Sequence, residues 1–253
     1  MIFWAALRKE LLEQWRSYRL LIVGAVLLLF AGFLSPLTAK YTPEIIKMAL
    51  PNGDEIAALV PPPGVSTVVE EYIQNVTQFG VILTLLMAMG TVAREKDKGT
   101  AALMLVKPLP RGILIAAKFV ALGLTFGVSL VVAAAACYYY TMVLFEALDI
   151  GGWLALNGLL FVFLLTYVAL TLFFSTLTSS QVVAGGLAFG AWMLLSVIGA
   201  LPKIGEFLPG QLTVWAASLI DGGDAAWPAL AVSVGLIVAA LAGGWAIFER
   251  QEL

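Results

Sequence analysis

Side chains that commonly carry out chemistry are scarce in this sequence. It contains no histidine and one cysteine, Cys137, which excludes His-based catalytic triads, His-ligated metals and an intrachain disulfide. A Walker A loop, H-E-x-x-H and G-x-S-x-G are also absent. Asp221 and Asp224 flank two glycines, which is typical of a loop turn rather than of paired catalytic carboxylates. We therefore expect no catalytic, cofactor-binding or metal-binding residue, and no enzyme activity in this chain alone.

One charged segment between two apolar stretches is better suited to function. Residues 94–100 read Arg-Glu-Lys-Asp-Lys-Gly-Thr, and the apolar residues 101–106 follow. Gly99 can end a helix because glycine adopts the left-handed C-cap conformation, and Thr100 can cap a new helix. Pro108 can stop that helix. The pattern predicts a short helix in a tight loop, which suits a membrane subunit that receives movement from a soluble motor.

The composition indicates an integral membrane protein. Of the 253 residues, 61% are hydrophobic and 12% are charged, which is about half the charged fraction of soluble domains. The net charge of −2 gives no indication of nucleic-acid binding. Six segments approach the ~20 apolar residues that a membrane helix needs. These segments are 20–37, 76–93, 113–137, 153–177, 182–201 and 227–248.

Residues 1–19 predict an amphipathic helix that lies in the membrane interface. One narrow apolar stripe recurs at spacings of three and four residues. Its members are Trp4, Leu7, Leu11, Trp15 and Tyr18. The alternative is a positively charged lead-in that only sets the topology. The stripe persists over four turns and favours the interfacial helix.

The basic residues set the expected orientation. With both termini cytoplasmic, 11 Lys and Arg residues lie inside and 3 lie outside, which agrees with the positive-inside rule. Ten acidic residues then fall on the outer side. We expect an all-α membrane protein, with an N-terminal interfacial helix followed by six transmembrane helices in one domain, 1–253.

Two external segments are long enough to carry structure of their own. Residues 38–75 contain Pro61-Pro62-Pro63-Gly64, after which Thr67 begins a capping-box pattern, so the second membrane helix is expected to start near Val68. Residues 202–226 contain the apolar stretch 212–220, which predicts a short re-entrant or interfacial helix.

Polar and small residues within the spans allow further interpretations. Lys118 lies near the cytoplasmic edge of the third span, where we expect it to snorkel to water, and it gives little support to an ion-coupled carrier. Two G-x-x-x-G pairs permit close approach of helices. These pairs are Gly123 with Gly127 and Gly186 with Gly190.

The chain resembles the permeases of type-2 ABC exporters. The interfacial lead helix, the six spans and the inward termini match that family, and so does the first cytoplasmic loop. The residues of the loop and the adjoining helix that carry the resemblance are Arg94, Glu95, Gly99, Thr100, Leu103, Leu105, Pro108, Arg111 and Lys118. The resemblance covers the whole chain in topology and about 25 residues in motif.

The resemblance implies a partner for each functional segment. Residues 94–111 would hold the coupling helix that docks on an ABC ATPase subunit, a separate chain that binds ATP and Mg²⁺, and 1–19 would be the elbow helix. A second permease copy or a paralogue would pack nearby, where Gly186 and Gly190 could meet it. The expected location is a prokaryotic cell membrane. The alternatives are a membrane partner that transmits motion to an extracytoplasmic protein bound at 38–75, and an ion-coupled secondary carrier.

Overall fold

A computed structural model describes residues 2–59, 62–97, 110–219 and 223–251. Throughout these ranges the regular structure is helical and no strand occurs. The helices are α1 Ile2–Arg16, α2 Arg19–Ala49, α3 Gly53–Leu59, α4 Val65–Ala88, α5 Ala93–Asp97, α6 Arg111–Leu144, α7 Ile150–Leu177, α8 Gln181–Gly199, α9 Gln211–Ser218 and α10 Trp227–Arg250. A 3₁₀ turn, Gly205–Phe207, precedes α9.

Among the described residues, six helical segments are long and apolar enough to cross a membrane, which confirms the predicted number of spans. Several of these helices are longer than the apolar segments predicted from the sequence, because the helix continues into polar residues outside the hydrocarbon core of the bilayer. The helix from Arg19 runs to Ala49 and contains a π-helical stretch, Leu28–Leu34. The second span begins at Val65 rather than near Val68. There Gly64 is the N-cap residue, and its N–H donates to the Thr67 hydroxyl at 3.5 Å.

The N-terminal segment is a helix followed by a sharp turn. After α1, Tyr18 adopts a left-handed conformation (φ 58°), and α2 starts at Arg19. Trp4 and Trp15 are exposed, as expected for an interfacial surface, whereas Leu7 is buried. The buried face of α1 also carries two polar side chains, Glu10 and Gln14.

Helix α7 forms the centre of the bundle. It packs against α4, α6, α8, α9 and α10. Leu156, Leu160, Leu164 and Leu172 on α7 are fully buried. In contrast, α8 and α10 leave most of their apolar surface exposed. These faces are available to lipid or to another protein chain.

The two G-x-x-x-G pairs differ in their surroundings. A Cβ on Gly123 would lie 3.2 Å from Leu165, and one on Gly127 would lie 3.3 Å from Phe161. This pair therefore lets α6 approach α7 within the chain. A Cβ on Gly186 or Gly190 would meet nothing within 4 Å in the part of the chain that is described.

The segment before the last span contains the short helix that the sequence predicts. Helix α9 covers Gln211–Ser218, and its buried residues Leu212, Trp215 and Ala216 face α7 and α4. This packing places α9 at the end of the bundle where α4 and α7 begin.

Candidate functional site

The segment predicted to dock on a partner lies between helices α5 and α6. Helix α5 ends at Asp97, and the description resumes at Pro110 before α6. The predicted docking helix, 100–106, lies outside the described residues. So do its predicted site residues Gly99, Thr100, Leu103, Leu105 and Pro108. Of the other two predicted site residues, Arg94 is exposed and Glu95 is half-buried. The structure thus shows how both ends of this segment are held.

The first anchor is a buried ion cluster centred on Lys118. The Lys118 side chain is only 2% exposed. Its Nζ lies 3.2 Å from Glu10 Oε1 on α1 and 2.8 Å from Glu95 Oε1 on α5. Lys118 therefore joins three helices, α1, α5 and α6. The expectation that Lys118 snorkels to water was wrong, because two carboxylates meet its ammonium inside the protein.

A second lysine completes the charge balance of this cluster. Lys9 Nζ lies 3.1 Å from Glu10 and 3.7 Å from Glu95, while 43% of its side chain stays exposed. Two carboxylates thus face two ammonium groups. Glu13 brings a third carboxylate within 4.8 Å of the other two, a group that could in principle hold a metal ion. Because lysines already neutralise Glu10 and Glu95, we assign these residues to ion pairing.

One helical turn after Glu10, a neutral hydrogen bond fixes α1 to α6. The Thr125 hydroxyl on α6 donates to the Gln14 side-chain oxygen, and both groups are buried. Glu10 and Gln14 are one helical turn apart and thus share a face. Glu10 and Gln14, the two buried polar residues of α1, thus hold this helix against α6.

The second anchor holds the turn between α4 and α5. The Ser175 hydroxyl on α7 accepts hydrogen bonds from the N–H groups of Val92 (3.1 Å) and Ala93 (3.0 Å). It donates to the Met89 carbonyl at 2.8 Å. One small side chain thus satisfies two buried N–H groups and one carbonyl where the helix is interrupted.

Lys96 adds a contact to the same end of α7. Its Nζ donates to the Thr176 carbonyl at 2.5 Å, one of the last carbonyls of that helix. A cation is favoured there because the carbonyl end of a helix carries partial negative charge.

The third anchor fixes the start of α6. Arg111 donates to the Phe248 carbonyl, to Glu249 O at 3.1 Å and to Gln251 O at 2.7 Å. These carbonyls lie at the C-terminal end of α10, where a cation is favoured. The guanidinium carbon also lies 5.5 Å from the Phe248 ring centroid. Both sides of 98–109 are therefore tied to the ends of long helices.

These contacts place α1, α5, the start of α6 and the end of α10 at one end of the bundle. We call it the basic end, after Lys9, Arg94, Lys96, Arg111 and Lys118. Helix α1 and the C-terminal end of α10 therefore lie at the same end of the bundle, as the topology requires for six spans. The side of the membrane on which this end lies stays a prediction from the charge count.

Sequence reasoning missed Glu10 and Gln14. The sequence did contain a signal for these two residues, since both share the face of α1 that carries Ala6 and Leu7. A lysine within a membrane span also needs a partner, which points to an acidic residue elsewhere. Choosing Glu10 and Glu95 among the acidic residues required the tertiary structure.

The sequence of the chain matches known membrane proteins over nearly its whole length. Residues 4–253 match the family described as ABC-2 family transporter protein. A relative from Bacillus subtilis (strain 168), "Uncharacterized transmembrane protein YxlG", is 27% identical over 228 residues, which cover 89% of this chain and 87% of that protein. The chain is therefore a multi-pass membrane protein that belongs to the ABC-2 transporter family.

Proposed function

We propose that this chain is the permease subunit of an ATP-driven exporter. A separate ABC ATPase subunit binds ATP and Mg²⁺, and a second permease copy or a paralogue completes the transport path. The proposed location is a prokaryotic plasma membrane with the basic end in the cytoplasm, which agrees with the Bacillus relative and the charge count.

The observation that carries the proposal is the double anchoring of 98–109. Glu95 and Lys96 tie its entry to α6 and α7, whereas Arg111 ties its exit to α10. A push on this segment would therefore reach α6, α7 and α10 through the charged hydrogen bonds of the described residues on either side of it. Lys118 links the same entry to α1, so the elbow helix would move with it.

The apolar residues of the segment supply the docking surface. Burying one side chain such as Leu103 or Leu105 stabilises a complex by roughly 1.5–3 kcal/mol. The alternative is that these leucines lie in the bilayer surface with the flanking lysines at the headgroups. That arrangement needs no partner.

The test is the double substitution Leu103→Asp with Leu105→Asp. We expect it to abolish copurification of a chain that carries a Walker A motif, while membrane insertion and the elution profile of the permease stay normal. The control is Leu50→Asp, an exposed leucine at the opposite end of the bundle. Retained ATPase binding and ATP-driven activity in the double variant would refute docking through this segment.

A second role is favoured by one feature at the opposite end. The last turns of α2 extend beyond the apolar window and expose Tyr41, Ile45 and Met48, the last at 90%. Their spacing places them on one helix face. We propose that this stripe contacts an extracytoplasmic partner. Changing Ile45 and Met48 to Ser should leave ATPase binding intact and remove that contact, as measured by crosslinking in intact cells.

A further inference from the structure

A cavity opens between α6 and α7, in the half of the bundle away from the basic end. Its volume is about 530 Å³, within the range typical of small-molecule sites. The lining includes Gly127, Ala134, Tyr138, Trp153, Gly158 and Phe161. Small and aromatic residues line it together, and its surface is almost wholly apolar.

The cavity is continuous with the surface that these spans present to lipid. Val131 and Leu154 line it and are 67% and 66% exposed. Because α6 and α7 both meet the length and hydropathy of a membrane span, hydrocarbon rather than water faces the opening. An occupant that enters from this side comes from the bilayer.

The positions of the lining residues along α7 give the depth of the cavity within the bilayer. Its 28 residues extend roughly 42 Å, against roughly 30 Å for the hydrocarbon core. If the helix is centred, Asn157 lies roughly 4 Å inside the hydrocarbon boundary, and Phe161 lies roughly 6 Å deeper. By the same measure Trp153, another lining residue, lies close to the hydrocarbon boundary, so the cavity extends from the depth of the lipid linkages to that of the acyl chains.

Asn157, the only amide side chain among the lining residues, lies between Trp153 and Phe161 along α7. Asn157 accepts a hydrogen bond from the Tyr72 hydroxyl at 2.6 Å and donates one to the Trp153 carbonyl at 2.9 Å. An amide has two N–H donors, so one remains for a ligand. In hydrocarbon a free N–H is unfavourable, and an oxygen acceptor there would stabilise it.

We propose that this cavity binds the alkyl chain of a membrane amphiphile, with an ester, ether or hydroxyl oxygen of the same molecule accepting from Asn157. The chain would run from Tyr138 and Trp153 toward Gly127 and Phe161. A Cβ at Gly158 would meet nothing within 4 Å among the described residues, so this position leaves room for the chain. This inference depends on the fold and the bilayer, and it holds whether or not an ATPase binds the chain.

Photolabelling can test the site directly. The protein is placed in phosphatidylcholine vesicles with a trace of phosphatidylcholine that carries a diazirine in one acyl chain. After illumination, we expect labelling to concentrate on 127–138 and 150–161, above the level on the lipid-exposed helix α8. A diazirine-bearing alkane, which has no oxygen, should lose this enrichment.

Two matched glycine substitutions separate the cavity from the general lipid surface. Gly158→Leu should fill the cavity and reduce its labelling to the α8 level. Gly235→Leu on α10 should leave the labelling unchanged. A Cβ at either glycine meets nothing within 4 Å among the described residues, so both variants should fold, which size-exclusion chromatography checks.

Three results would overturn the proposal. Equal labelling of the cavity and α8 in the unmodified protein would mean ordinary boundary lipid. Unchanged enrichment in Gly158→Leu would place the bound lipid elsewhere. Efficient disulfide crosslinking of Leu154→Cys between two chains, without cavity labelling, would show that a second copy of the protein covers the opening.

Discussion

Replacing Lys118 with Met should detach α1 and the entry of the docking segment from α6. Lys118 is 2% exposed and contacts Glu10 and Glu95 at 3.2 and 2.8 Å. Removing one member of a buried ion pair costs about 3–5 kcal/mol, because the remaining charge stays buried. Lys9 still lies 3.1 and 3.7 Å from the two carboxylates, so we expect a loss at the lower limit, about 3 kcal/mol.

Hydrogen exchange of the purified protein measures this loss locally. A change of about 3 kcal/mol corresponds to an increase of about a hundredfold in the opening of α1. Amides of α1 should therefore lose protection by that factor, whereas amides of the central helix α7 should change little. Lys9→Met is the matched control, since an exposed ion pair contributes at most about 1 kcal/mol.

A compensating triple variant tests whether the lost protection comes from the unpaired charges or from the changed side-chain shape. Changing Glu10 and Glu95 to Leu together with Lys118→Met removes all the charges buried here. Replacing a buried ion cluster by apolar residues of similar size is often neutral or stabilising, so protection of α1 should recover. Unchanged protection in the Lys118→Met single variant would refute the view that this cluster holds α1 to α6.

Three further predictions address the topology, the turn after α4 and the glycines on α8. A cysteine replacing exposed Asn52 should react with a membrane-impermeant reagent from outside, and one replacing exposed Asp97 should react only after permeabilisation; the reverse pattern would invert the assigned orientation. Ser175→Ala should lower the free energy of unfolding by about 1–3 kcal/mol in a denaturant titration, because it leaves buried N–H groups without an acceptor; no change would mean that water replaces the hydroxyl. Changing Gly186 and Gly190 to Leu should reduce assembly with a second permease, as measured by crosslinking and mass, while the monomer fold persists; normal assembly and transport would indicate that these glycines face lipid.

The contrast between the two glycine pairs shows what spacing alone cannot resolve. Gly123 and Gly127 have the same four-residue spacing as Gly186 and Gly190. The first pair contacts Leu165 and Phe161 inside the chain, whereas the second faces open space in the described part of the protein. The spacing predicts that another helix can approach closely. Only the packing of the helices shows which element does so.

The sequence by itself determined the class and the order of the helices. In a bilayer, backbone polar groups must be satisfied within each segment, so six long apolar stretches had to become six helices. The family resemblance, carried by 94–111 and the topology, was confirmed over residues 4–253. The docking role of 100–106 stays a prediction from that resemblance and from the apolar residues themselves.

Only the tertiary structure decided how the charged residues are used. Lys118 is 108 residues from Glu10 along the chain and 23 from Glu95. A local pattern shows that a lysine lies within a span, but its partners depend on which helices meet and how each is rotated. The same holds for Ser175, whose hydroxyl reaches a turn more than 80 residues away. Local hydropathy specifies where the helices form. Which side chains pair with one another is set by packing between residues that are distant in the chain.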